Sequence, residues 1–196
     1  MLSFLRQSFD VFSKRGVLVV ALNWLFFGVI FVAFLLGSAG YRTIYVAPLG
    51  EGTIFRQADG LSLPSMILYI FLFNSVLAGF VLLTFSGLVF FALPFVFLFV
   101  RALLWSSLIP IFPSSVFLAA FPVFILEGEA YVLASVAGVV LGLSWLKSGW
   151  VYHGQPLSRL ESLRKGTMEC VHIYIWVLIL LLAGAIVESL ALISGV

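Results

Sequence analysis

LSLPSMILYIFLFNSVLAGFVLLTFSGLVFFALPFVFLFV, residues 61–100, contains no charged side chain. A run of this length and oiliness is too long for one bilayer crossing of about 20 residues and long enough for two. The natural division places spans near 65–85 and 88–109, with Thr84, Ser86 and Gly87 at the turn and Pro94 distorting the second helix. The chain around it has the same character. Of its 196 residues 63% are hydrophobic and 9% charged, and the mean hydropathy is +1.25. A soluble domain carries about 25% charged residues. The solvent for this surface is therefore lipid. Lipid leaves only helices or closed barrels as spanning structures, because every backbone N–H and C=O must bond internally. Barrel strands alternate polar and apolar residues. The runs here are continuously apolar, so the expected fold is all-α: a polytopic transmembrane helical bundle forming one integral membrane domain over residues 1–196.

Working outward, VLVVALNWLFFGVIFVAFLLG at 17–37 supplies a first span. MLSFLRQSFDVFSKR at 1–15 places Leu2, Leu5, Phe9 and Phe12 at helical spacing among basic residues, the pattern of an interfacial amphipathic helix. A polar loop covers 38–62. Beyond the charge-free run, Pro110, Pro113 and Pro122 crowd a segment too short to cross, and 110–128 reads as a proline-broken or re-entrant piece. Spans at 129–147 and 172–193 follow, separated by a charged segment whose 156–169 portion reads as a second interfacial helix. The count is about five spans. Lys and Arg concentrate before residue 16 and in 147–169, which puts the N-terminus in the cytoplasm and the C-terminus outside a plasma membrane.

Four charges fall at lipid depth: Arg101, Glu127, Glu129 and Glu188. Each costs about 2.5–3.5 kcal/mol at a helix centre unless something offsets it. Counting back from the span ends puts Glu129 about 27 Å from Lys147, Arg101 about 12 Å inside residue 109 and Glu188 about 8 Å inside residue 193. All four thus belong to the outer half of the membrane, where a single polar cluster around Arg101 is expected. Glu127 and Glu129 sit two residues apart and point about 200° from each other on a helix. With Gly128 between them and Pro122 before them, they also mark an expected helix start, where acids favour the dipole. Ala130, Ala134, Gly138 and Gly142 recur every four residues as a seam that lets backbones approach, within the chain or between copies. That seam is the ground for expecting a homodimer. Asn23 and Asn74 are intramembrane amides suited to interhelical hydrogen bonds.

The stretch FPVFILEGEAYVLASVAG resembles a hallmark of the stage II sporulation protein M family of integral membrane proteins. That hallmark runs roughly Pro-His-Gly-Ile-Phe-Glu-Leu-Pro-Ala, followed by small residues and Gly. Pro122, Glu127, Ala130, Ala137 and Gly138 fall at its spacings, while Val123, Phe124 and Glu129 depart from it. The resemblance continues upstream through Asn74 and Gly87 and downstream through Glu188, covering about residues 65–193. Where that family carries an Asn-Gly pair, this chain has Arg101 and Ala102. The resemblance implies a subunit of a membrane complex with membrane or wall-associated protein partners. In spore formers these include peptidoglycan hydrolases.

Two functions compete. A scaffold or assembly subunit fits the resemblance and the seam. A cation- or proton-coupled transporter or channel fits the excess of acids, Glu127, Glu129 and Glu188, over one Arg. A lipid-acting enzyme ranks last, since HExxH, G-x-S-x-G, a P-loop and a Cys/His pair are all missing from the sequence. No enzyme activity, cofactor, metal or nucleic-acid partner is expected; the expected surroundings are the lipid bilayer.

Overall fold

The computed structural model describes residues 2–38, 61–108 and 114–194, and the described residues are helical with short turns. Helix α1 is Leu2–Ser38. Helix α2 is one continuous rod in three windings: α-helical Leu63–Leu72, π-helical Phe73–Phe85 and a last α turn Ser86–Val89. Helix α3 is Leu93–Leu108, α4 is Ser114–Leu146, α5 is the single turn Ser148–Val151, and α6 is Arg159–Ser194. Among the described residues, four helices are long and apolar enough to cross a membrane; α3 is a shorter apolar helix. At about 1.5 Å per residue, its 16 residues cover about 24 Å.

Several expected boundaries moved, all in the direction of longer helices. The amphipathic stretch 1–15 is not a separate interfacial helix, because the winding runs unbroken from it into the first span. The stretch 156–169 likewise merges with the last span, starting at Arg159. Its start is a capping box: the Ser158 amide donates to Glu161 Oε2 at 2.8 Å, and the Glu161 amide donates to Ser158 Oγ at 3.3 Å. The turn expected at Thr84–Gly87 lies instead at Phe90–Ala92, where Phe90 is extended. Pro122 does not break α4, which is wound continuously from Ser114. Neighbouring helices and apolar surroundings let transmembrane helices absorb a proline that would end a helix in water. The expected break in 110–128 is therefore absent from 114 onward; residues 109–113 and the 38–60 loop lie outside the described residues.

Contacts fix the directions. Asn74 meets Glu127 and Thr84 meets Ala134, so α2 and α4 run the same way. Arg101 meets Tyr131 and the Trp105 ring packs on Phe124, so α3 runs against α4. Gly184 packs on Glu127 and Gly166 on Ser144, so α6 runs against α4 along its length. Helix α1 passes Glu169 at Arg15 and reaches Gly128 and Trp105 through Phe26. The centre of the bundle is α4. Of its most apolar window 72% is buried, against 17% in α1, and residues 130–140 are buried without interruption.

Small residues create the closest crossing. A Cβ added to Gly87 would run into the backbone of Gly138, and one added to Gly142 into the backbone of Gly87. At Gly138 it would strike the Leu83 carbonyl and approach Pro94 Cγ at 2.9 Å. Just above, Thr84 Oγ1 donates to the Ala134 carbonyl at 2.9 Å. The seam of Ala130, Ala134, Gly138 and Gly142 is thus buried, and its glycines are occupied by α2 of the same chain. It supplies no argument for a second copy. The widened winding of α2 shows in its burial: Asn74 and Ser75, Ala78 and Gly79, Leu83 and Thr84 are the buried pairs. They recur every four to five residues, as i→i+5 bonding favours, where an α-helix would repeat every 3.6.

Forcing this crossing apart is expected to be destabilising. Gly87→Val or Gly138→Val should lower unfolding stability in detergent by about 1–3 kcal/mol, the usual penalty for overpacking. Gly16→Ala, with open space around the added atom, serves as the control. Equal stability in all three variants would show that the crossing is not tight.

Candidate functional site: a buried carboxylate network

Glu127 is 4% exposed and sits well inside α4, 13 residues from Ser114. It is not at a helix start, so the dipole of a first turn does not offset its burial. Side-chain donors do. Asn74 Nδ2, from the π-helical part of α2, donates to Glu127 Oε1 at 2.7 Å. The Tyr131 hydroxyl donates to Glu127 Oε2 at 3.3 Å. Tyr131 is one turn further along the same helix, so the two side chains share a face. The shorter bond, from Asn74, is the stronger of the two by geometry. Gly184 of α6 completes the enclosure: a Cβ there would lie 3.0 Å from Glu127 Cγ.

Tyr131 joins the carboxylate to a cation. Arg101 Nη2, from α3, donates to the Tyr131 hydroxyl at 3.1 Å. The guanidinium also lies over the Tyr131 ring, 4.8 Å from its centroid, and near the Trp105 ring at 5.6 Å. Guanidinium over an aromatic face is attractive, the more so away from water. Phe26, Phe124 and Tyr131 each pack edge to face on Trp105, with centroids 4.9–5.7 Å away. Glu188 of α6 is half-buried and, with Arg101 and Glu127, lies within electrostatic range of the Tyr131 hydroxyl.

The expected four-member cluster is therefore redrawn. Arg101, Glu127 and Glu188 gather around Tyr131, with Asn74 as an additional donor. Glu129 is not among them. Two residues on from Glu127, it follows Gly128, which packs on Phe26 and Phe27 of α1. Asn23 of α1 donates through Nδ2 to the Val19 carbonyl at 3.2 Å. Sequence reasoning missed Tyr131 and Gly184. The i+4 spacing of Tyr131 from Glu127 was a visible signal; nothing local to Gly184 pointed at Glu127.

A second polar group was also missed, at the basic end of the bundle. Arg15 donates to Glu169 Oε2 through Nη2 at 2.8 Å and Nε at 3.1 Å, and to the Val151 carbonyl through Nη1 at 3.3 Å. The Tyr152 ring lies between cations, 5.6 Å from Arg15 and 4.4 Å from Lys165 Nζ. This clamp ties α1 to the 147–158 connection and to α6.

Comparison of the chain with protein-family models, with curated proteins and with solved structures returned no match.

Two outcomes follow from these networks. In a double-mutant cycle on unfolding stability, Arg101→Ala and Glu127→Ala should couple by about 0.5–3 kcal/mol, as members of one hydrogen-bonded network do; additive losses would dispose of the link through Tyr131. At the basic end, burial pushes the Tyr152 hydroxyl well above its ordinary 10.0, with Glu169 adding to the shift and Arg15 opposing it. Its folded pKa exceeds the unfolded one, so its contribution is intact below about pH 10 and is lost as pH rises toward the folded value. Tyr152→Phe should flatten the alkaline fall in stability; an unchanged alkaline slope would contradict the assignment.

Proposed function

We propose that this chain is a multi-pass integral membrane protein that serves as a scaffold or assembly subunit of a membrane complex, as the stage II sporulation protein M family it resembles does. In this reading the chain crosses the plasma membrane five times, α3 included, with its N-terminus cytoplasmic and its C-terminus outside. The alternating helix directions and the basic residues at one end support that count and orientation. No enzymatic role is assigned. The observation that carries the proposal is the state of Glu127: a carboxylate bonded by Asn74 of α2 and by Tyr131, with Arg101 of α3 beyond it and Gly184 of α6 against it. A carboxylate held from so many sides fastens helices to each other.

The second reading is a cation- or proton-coupled pathway through the same residues. It is favoured by Arg101 and Glu188 being half-buried, with Arg101 bonded to the Tyr131 hydroxyl and two carboxylates, Glu127 and Glu188, within electrostatic range of it. Purified protein in liposomes separates the two. The scaffold reading expects no proton or cation flux above protein-free vesicles, and expects Glu127→Gln to weaken the fold. Flux that disappears in Glu127→Gln, with the fold intact, would replace it with the transport reading.

A further inference from the structure

One end of the bundle carries an excess of positive charge. Residues 10–16 and 147–169 hold six Lys/Arg against three acids, Asp10, Glu161 and Glu169. Two of the acids are already engaged: Glu169 is held by Arg15, and Glu161 closes the capping box on Ser158. Lys165 is half-buried, with Nζ over the Tyr152 ring and bonded to Gln155 Oε1 at 2.7 Å. Lys14, Lys147, Arg159 and Arg164 are exposed and bridge no carboxylate among the described residues. Exposed charge of one sign, gathered at one end, attracts anions from outside the chain.

The clamp at Arg15 sets the heights of these cations. Arg15 bonds both Glu169 and the Val151 carbonyl, so residue 15 of α1, the α5 turn and residue 169 of α6 stand at one level. Trp150, in that turn, marks the level as a membrane boundary. It is 61% exposed, lies under the Lys147 ammonium at 5.3 Å from its ring centroid, and packs on Phe91, next in the chain to the exposed Val89 and Phe90. An exposed Trp among apolar side chains and an ammonium is the pattern of the headgroup zone. That zone is about 5–8 Å deep on each side of the hydrocarbon. Lys14 adjoins Arg15 and Lys147 immediately precedes the turn, so both lie at this level. On α6, Arg164 stands five residues outward of Glu169, about 8 Å, and Arg159 ten residues, about 15 Å. Arg164 thus reaches the outer edge of the headgroups, and Arg159 passes beyond them. A layer of anionic headgroups offers a partner to each rod at this height.

We propose that Lys14, Lys147 and Arg164, one cation each from α1, the α4–α5 junction and α6, form a surface that selects anionic phospholipids from the bilayer around the protein. The selection is independent of the scaffold and transport readings, and its test reads neither a protein partner nor flux. The full chain is reconstituted in phosphatidylcholine vesicles with a trace of spin-labelled phosphatidylglycerol or spin-labelled phosphatidylcholine, and the fraction of label immobilised at the protein is measured. Phosphatidylglycerol is expected to be enriched at least about twofold over phosphatidylcholine, averaged over all boundary lipid, because each headgroup-level cation attracts it. High salt should reduce the enrichment. Lys14→Gln, Lys147→Gln and Arg164→Gln should each lower it and together abolish it. Arg159→Gln removes the same charge from above the headgroups and should leave it unchanged. All four side chains are exposed, so the variants keep the fold. Equal immobilisation of the two lipids, enrichment that survives the triple substitution, or a loss from Arg159→Gln as large as that from Arg164→Gln overturns the proposal. Enrichment that inorganic phosphate removes at matched ionic strength also overturns it, and assigns the cations to a soluble anion instead.

Discussion

Backbone-to-backbone contact between α2 and α4, at Gly87, Gly138 and Gly142, sets the geometry on which the other contacts depend. In lipid there is no hydrophobic force to press helices together, so packing and hydrogen bonds must do it. Close approach needs side chains absent from the crossing point, and these three glycines supply that. Once the two rods touch there, the heights of the residues above are fixed. Thr84 comes level with the Ala134 carbonyl and Asn74 with Glu127. The π winding between them adjusts the phase of α2 so that both polar side chains turn toward α4. An uncommon helical form is thus found where two polar contacts must be met by one rod.

The buried charges are offset in three different ways. At Glu127 the offset comes from Asn74 and Tyr131, with a guanidinium one hydroxyl further on. At Arg101 it includes the faces of two aromatic rings as well as a hydroxyl. Arg15 and Glu169, at the basic end, use direct ion pairing with side chains only 15% and 12% exposed. Partial burial makes that pair less sensitive to solvent screening than an open surface bridge. Each arrangement joins residues far apart in sequence, so each acts as a tertiary constraint and not as local helix support.

The helical class was legible from composition and from the charge-free run 61–100, because a bilayer leaves so few backbone solutions. Arg101, Glu127 and Glu188 were legible as residues in need of partners. Their partners were harder to see. The 3.6-residue period that reads faces does not hold through Phe73–Phe85, so Thr84 reads as a turn residue in the sequence and is a buried donor in the fold. Prolines and glycines were read with the rules that hold in water. Pro122 therefore looked like a break and Gly87 like a turn, when one lies within a continuous helix and the other is a contact point. Depth alone groups Glu129 with Glu127, although the helical angle between them points to separate faces.

The length of the rods has its own consequence. The 33 residues of α4 measure about 50 Å and the 36 of α6 about 54 Å, against a hydrocarbon layer of about 30 Å. Their excess must be taken up by leaning, by bilayer thickening or by standing proud of the surface. Because α4 and α6 pack on each other from Glu127 beside Gly184 to Ser144 beside Gly166, they lean together. Membrane thickness therefore acts on the angle of the assembly as a rigid whole, and a thicker lipid phase holds it more upright.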